Sequence, residues 1–233
     1  MMKTSLLILP LLSALPVSAA SLVITDTGYL PADVAPSVAS FQGALGSSTQ
    51  LNWDDGSFSG GLVSGINFGS TSFAVSNDEF LGYDASNVAD FVPYSGDSLL
   101  APAGSVSFSI DFVETMTGAQ GVTNGFGLIF TGVEAAGATY LQFFDAADNL
   151  LLTHEVAAGG LGSLSFVGVL FDEPELARVD ITAGEEAIDS LSSGGDRVAM
   201  DDLFVGQISA VPEPASWSLM GCALVGLALR RRR

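Results

Sequence analysis

The chain has 233 residues, of which 7 are Lys or Arg and 26 are Asp or Glu, for a formal net charge of −19. Its basic residues are Lys3, Arg178, Arg197 and Arg230 to Arg233, so Ser21 to Leu229 holds two arginines against all 26 acidic residues, a net of −24, and no lysine at all. Binding to nucleic acid needs Lys or Arg to displace phosphate counterions, so that class is excluded, and lysine Schiff-base chemistry is excluded with it.

Met1 to Ala20 has one early Lys3, an apolar run from Leu6 to Leu12 and small residues before Ser21, which reads as a secretory signal peptide cleaved near Ala20. A secreted domain then spans residues 21–208. Its first hundred residues offer only short strand candidates, Val23 to Thr25, Gln50 to Trp53, Leu62 to Phe68 and Ser72 to Val75, separated by Gly and Ser. No stretch shows a long helical period. The best strand is Ser105 to Val113, where Val106, Phe108, Ile110 and Phe112 alternate with polar residues at period two. Phe126 to Phe130 is a denser apolar run and predicts a more central strand. Thr139 to Phe144, a turn at Asp145 to Asn149 and Leu150 to Val156 predict a hairpin. Leu164 to Phe171, Leu176 to Thr182 and Val198 to Val205 predict three more strands. Many short strands at near-regular spacing imply an all-β fold, an antiparallel β-sandwich of jelly-roll type.

The C-terminal segment 209–233 has three parts in a fixed order. Pro212-Glu213-Pro214 comes first, then an uncharged apolar stretch from Ala215 to Leu229, then Arg230, Arg231, Arg232 and Arg233. As a helix the stretch reaches roughly 22 Å at ~1.5 Å per residue, short of a hydrocarbon core of ~30 Å. Snorkelling arginines supply the missing length and act as a cytoplasmic membrane stop. Two prolines hold the entry extended, leaving a strip that a protease can grip. This layout resembles the PEP-CTERM sorting signal of exosortase-processed bacterial surface proteins. The resemblance implies an exosortase-type membrane protease as a partner, anchoring through the C-terminal helix before processing, and a final place at the cell surface or in the extracellular matrix, associated with exopolysaccharide or biofilm material. The segments GFGLIF at Gly125, YLQFFDAADNLLLTHEV at Tyr140, LSFVGVLFDEPELARVDI at Leu164 and VAMDDLFVG at Val198 are also similar to the second half of jelly-roll domains related in appearance to carbohydrate-binding modules.

Chemistry is narrowed by elimination. The lone cysteine, Cys222, lies in the apolar tail, so the exported domain forms no internal disulfide. His154 is the only histidine, expected to be exposed on a hairpin strand, and no nucleophile elbow or His/Cys metal motif accompanies it. Two-carboxylate glycoside hydrolysis survives the filter, with Asp172, Glu173 and Glu175 as the tempting cluster, though a proline-containing loop between strands is its simpler reading. Trp53 beside Asp54 and Asp55 is either a core side chain or a sugar-stacking surface, with Tyr83 and Tyr94 as further stacking candidates. Asp201 and Asp202 should face opposite sides of their strand, one of them inward. With two arginines in the domain, a calcium ion is a natural counter-charge, and Asp201 or Asp202 with Asp78 and Glu79 is the candidate site. The expectation is therefore a non-enzymatic structural or interaction protein. A carbohydrate-binding module is its main alternative.

Overall fold

The computed structural model describes residues 20–54, 62–64, 73–76, 79–84, 90–113, 119–190 and 194–211, with the backbone alone for those between 62 and 84. Two antiparallel sheets face each other. The strands of the larger sheet are β1 (Leu22–Gly28), β2 (Ser48–Leu51), β3 (Leu62–Ser64), β5 (Glu79–Asp84), β6 (Ser98–Ala103), β9 (Gly125–Thr131), β12 (Leu164–Leu170) and β14 (Ala199–Gly206), in the order β1-β12-β9-β14-β6-β5-β3, with β2 also on β14. The five-stranded sheet holds β4 (Phe73–Ser76), β7 (Ser107–Phe112), β10 (Tyr140–Phe144), β11 (Leu150–Glu155) and β13 (Arg178–Thr182), in the order β11-β10-β13-β7-β4. A two-stranded piece pairs β8 (Gly121–Val122) with β15 (Ser209–Ala210).

The main core lies between the sheets. Alternate residues of β9, Phe126, Leu128 and Phe130, point inward and meet Phe112 and Phe143 from the other sheet. Phe112, Phe126 and Phe143 form edge-to-face contacts with centroids 6.4 and 6.1 Å apart. Fully burying one such side chain contributes roughly 1.5–3 kcal/mol, so this aromatic group alone is a large part of the cohesion of a domain of this size. The run Phe126 to Phe130 is central, as its density implies, because β9 is covered on both faces.

The other face of the larger sheet is covered by a helix that the sequence reading missed, α1 (Pro31–Leu45). Val34, Val38, Phe41 and Leu45 recur at intervals of three and four and are all buried, a helical stripe. Pro36, Gly43 and the short residues between obscured that period, since each is a poor helix signal. The start of α1 is locally specified: Pro31 occupies its first position, and the Asp33 carboxylate accepts from the Leu30 and Tyr29 amides at 2.9 and 3.0 Å. The Ser37 hydroxyl donates to Asp26 of β1 at 2.6 Å, tying helix to sheet.

Phe41 fixes where α1 sits. Its ring lies over Gly127 of β9 and Gly168 of β12, which are paired directly across the ladder. A Cβ at either would come within 2.7 Å of the ring, so the two glycines form the hollow that admits it. Among the described residues no helix is long and apolar enough to cross a membrane. The predicted tail span, with Pro212, Glu213, Pro214 and the four arginines, lies outside the described residues, as does the predicted signal peptide up to residue 19.

Candidate functional site

The outward face of the five-stranded sheet is built from polar side chains in register. Period two buries Phe108, Ile110, Phe112, Leu141, Phe143, Val179 and Ile181 and turns their neighbours out. The pairing of β7, β13 and β10 aligns these neighbours into three cross-strand rows. The rows are Ser107–Thr182–Tyr140, Ser109–Asp180–Gln142 and Asp111–Arg178–Phe144. The first two continue onto β11 at Glu155 and Thr153.

One end of this face is locked and the other is open. Arg178 donates through Nε to Asp180 Oδ1 at 2.9 Å and through an Nη to Asp148 Oδ1 at 2.6 Å, while its guanidinium lies 4.4 Å above the Phe144 ring. Partial burial disfavours the charge, but the two carboxylates more than offset it and raise the Arg178 pKa. Asp148 reaches it from the β10–β11 turn, where Asp148 takes a positive φ of 62° and Asp145 accepts from the Ala147 and Asn149 amides. Ser109 donates to Asp180 Oδ1 at 2.8 Å, so that oxygen holds two donors. Ser107, Ser109, Tyr140, Gln142, Asp180 and Thr182 line a shallow groove of about 290 Å³. Within it the Gln142 carboxamide, the Tyr140 hydroxyl and Asp180 Oδ2 make no hydrogen bond among the described residues. A half-buried aromatic ring beside fixed but unpartnered amide and carboxylate groups is chemistry suited to hydroxyl-rich ligands. Sequence reasoning missed this groove, although the polar half of the Ser105 to Val113 alternation marked one of its three strands.

The residues singled out from sequence lie elsewhere. Asp201 and Asp202 are both fully buried on the same side of β14, not on opposite sides. The reason is a register shift: Met200 pairs with Phe130 and Leu203 with Leu128, so β14 spends one residue more than β9 over that interval. Met200 and Leu203 both point into the main core, and the two aspartates between them bulge out beneath residues 94–97. Asp201 Oδ2 accepts from the Tyr94 and Ser95 amides, Asp202 Oδ1 from the Ser95 hydroxyl at 2.9 Å and Asp202 Oδ2 from Gln50 at 2.8 Å. Asp54 approaches from the end of β2 and accepts from the Asp97 and Ser98 amides; Gly96, at φ 54°, packs against its carboxylate where a Cβ would collide. Burial, and then the charge of Asp202, pushes the Asp201 pKa up to about 8 against the two amide donors. Burial raises Asp202 as well. Asp201 Oδ1 is buried and has no hydrogen-bond partner among the described residues.

Trp53 is 3% exposed and its indole N–H donates to the Asp201 carbonyl at 2.7 Å, so it is a core residue and offers no stacking surface. Tyr94 is half-buried and packs with the cluster around α1. Asp78 lies outside the described residues, and of Glu79 and Tyr83 only the backbone, on β5, is described. Among the described residues no group of three or more His, Cys, Asp or Glu is arranged to hold a metal ion. His154 is half-buried rather than exposed, because it pairs with Leu141 and shares that residue's inward direction. Asp172 and Glu173 are exposed in the loop between β12 and β13.

The fold and this face define an all-β, antiparallel sandwich with a polar groove on one sheet. The comparisons add an address: residues 210–233 match the PEP-CTERM protein-sorting motif. No curated protein matches the chain. Among solved structures, the chain is similar to the K2 cleaved adhesin domain of Lys-gingipain, at 9% identity, covering 69% of this chain and 98% of that one with a TM-score of 0.42. It is also similar to a family 29 carbohydrate-binding module, at 11% identity, covering 69% and 91% with a TM-score of 0.33. A Clostridium stercorarium carbohydrate-binding module solved with cellobiose is a third, at 12% identity, covering 68% and 93% with a TM-score of 0.32.

Proposed function

We propose that this is an exported protein, routed by its PEP-CTERM signal to an exosortase-type membrane protease, whose sandwich domain holds exopolysaccharide on the five-stranded face at the cell surface or in the extracellular matrix. The signal peptide is residues 1–20, the jelly-roll-like body 21–208 and the sorting segment 209–233, with the apolar stretch Ala215 to Leu229 as a transient membrane anchor and Arg230 to Arg233 as its stop. The observation that carries the binding role is the cross-strand arrangement of Tyr140, Gln142 and Asp180 on the outward face, where the Tyr140 hydroxyl, the Gln142 carboxamide and Asp180 Oδ2 make no hydrogen bond among the described residues. Binding, rather than catalysis, is the role of this face.

Affinity electrophoresis of the secreted protein in gels cast with extracellular polysaccharide tests the reading. Retardation that saturates, and that is lost in a Tyr140→Ala/Gln142→Ala double variant, is expected. Equal mobility with and without polysaccharide would defeat it. Intact mass of the secreted protein tests the routing: both ends should be missing, and a chain still carrying Arg230 to Arg233 would make the tail a permanent anchor.

A calcium ion at Asp201 and Asp202 is a second proposal; Glu79, which pairs with Ala103 at the opposite end of β6 from Ser98, is not placed to complete it. The proposal is supported by the orphaned, fully buried Oδ1 of Asp201. Such an ion would neutralise carboxylates that are otherwise costly to bury. The expected result is a thermal midpoint lowered by EDTA and restored by excess calcium; an unchanged midpoint rejects it.

A further inference from the structure

We infer that the polysaccharide held on the five-stranded face carries free amino groups, an inference that rests on the carbohydrate reading above and narrows it to a ligand class. Three observations lead there.

The first is the supply of cations. The exported domain has only Arg178 and Arg197 to offer an acidic sugar. Arg178, on this face, is already held by Asp148 and Asp180, and Arg197 bridges to Glu186 and donates to the Ser190 carbonyl. A uronate, sulfate or phosphate group brought to the groove would meet no uncommitted cation from this domain, and a body with a net charge of −23 would repel it.

The second is an excess of acceptors. Asp180 Oδ2 faces the groove unpartnered, and Asp111 on β7, one row along, makes no hydrogen bond or ion pair among the described residues. Glu155, at the far end of the Tyr140 row, accepts only one amide, that of Gly137, through Oε1. The unspent donors are the Gln142 amide, the Tyr140 and Thr153 hydroxyls, and one of the paired Ser107 and Thr182 hydroxyls, since only one of those two donates to the other. The unpartnered acceptors are carboxylates and the unspent donors are all neutral, so a ligand complementary to this face brings positively charged donors.

The third is the rigidity of the central acceptor. Ser109 and Arg178 both donate to Asp180 Oδ1, which fixes the carboxylate at the groove it lines and leaves Oδ2 without a partner among the described residues. A fixed carboxylate oxygen beside an aromatic ring suits an ammonium group on a pyranose better than a hydroxyl, because the ammonium adds the attraction of opposite charges and a cation–π contact to a hydrogen bond that either group can make. The groove therefore prefers an amino-sugar polymer with at least part of its amines free over its acetylated, neutral or acidic counterparts.

The experiment is a titration of the secreted protein, followed by calorimetry in 150 mM salt, with four hexasaccharide probes: β-1,4-glucosamine, its fully N-acetylated form, cellohexaose and a β-1,4-uronate. Glucosamine hexamer should bind saturably and at least about tenfold more tightly than the acetylated and neutral probes, a gap of about 1.4 kcal/mol. The uronate should not bind. Asp180→Asn keeps an acceptor for Ser109 and Arg178 and should weaken glucosamine binding by about tenfold, whereas Glu173→Gln, which removes an equal charge from an exposed loop, should leave it unchanged. Equal affinity for cellohexaose and glucosamine hexamer, or any preference for the uronate, overturns the amino-sugar inference while leaving the sheet as a glycan face. An equal loss in both variants marks diffuse charge attraction and also overturns it. Failure of all four probes to bind, together with no retardation by extracellular polysaccharide, overturns the carbohydrate reading itself.

Discussion

Two titratable residues, the half-buried His154 and the fully buried Asp201, tilt stability with pH in opposite directions. Burial lowers the His154 pKa below 6.5, with Glu155 offsetting only part, so the folded chain binds that proton more weakly than the unfolded one. The contribution of this site is whole above pH 6.5 and is lost as pH falls toward the folded value. Asp201 has the reverse sign: its pKa rises from 3.8 to about 8, so its contribution is whole below 3.8 and is lost as pH climbs through 8. In calcium-free buffer, Asp201→Asn should flatten the loss of thermal midpoint between pH 6 and 8, and His154→Leu should flatten the loss below 6.5. A D201N curve parallel to that of the parent over the alkaline limb would refute the assignment. Trp53 belongs to the same neighbourhood. Trp53→Phe removes the donor to the buried Asp201 carbonyl and should cost about 1–3 kcal/mol, read from the denaturant midpoint. Sequence marked both Trp53 and the Asp-Asp pair as special, and core packing was one of its two readings of Trp53. It misplaced the aspartates because whether two adjacent side chains lie on opposite faces depends on a bulge, and a bulge is a property of pairing with β9.

The element that best shows what local patterns conceal is α1. Its core-facing residues keep helical spacing, but Pro36 and Gly43 weaken the intrinsic preference, and the helix exists because Phe41 finds a hollow prepared by Gly127 and Gly168 on two neighbouring strands. That pairing makes a sharp prediction. Gly127→Ala puts a methyl into the Phe41 ring and should destabilise by about 1–3 kcal/mol, while Gly43→Ala, with open space around it, should stabilise α1 by about 0.5–1 kcal/mol. Urea midpoints moving the same way in both variants would contradict this account of the helix seat. The strands of the second half, β7 and β9 to β14, were legible because each buries one face or both and so shows either alternation or density. β5 and β6 were not: Glu79–Asp84 includes Gly82, and Ser98–Ala103 includes Pro102, and both are strands through cross-strand pairing with each other.

At the scale of the whole molecule the two ends of the body meet. Leu22 pairs with Leu170, which pairs with Gly125, and Val205 pairs with Phe126, so the start of β1 and the end of β14 share one end of the sandwich. β15 then pairs with β8 at Gly121, and the chain continues from there into the sorting segment. Gly28 and Leu164 mark the opposite end, where Tyr29, Leu30 and Leu161 are more than half exposed. Both sheets close before residue 211, so release at Pro212-Glu213-Pro214 should leave the body intact. The secreted chain cut there should melt within about 1–2 °C of the uncut chain in detergent, since no described strand is removed. A markedly lower midpoint would mean that the tail contributes to the fold.

The amino-acid sequence by itself determined the destination and the material: a PEP-CTERM signal at one end, a β-rich body, and a charge balance that leaves two arginines for 26 carboxylates. These are properties of order and composition, which survive in an unfolded chain. Tertiary structure alone decided that Tyr140, Gln142 and Asp180 stand in adjacent rows and that Asp201 and Asp202 share one buried side. The groove is assembled from residues about 40 and 70 positions apart in the chain, and only cross-strand register, fixed by burying the alternate residues of each strand, brings them within reach of one ligand.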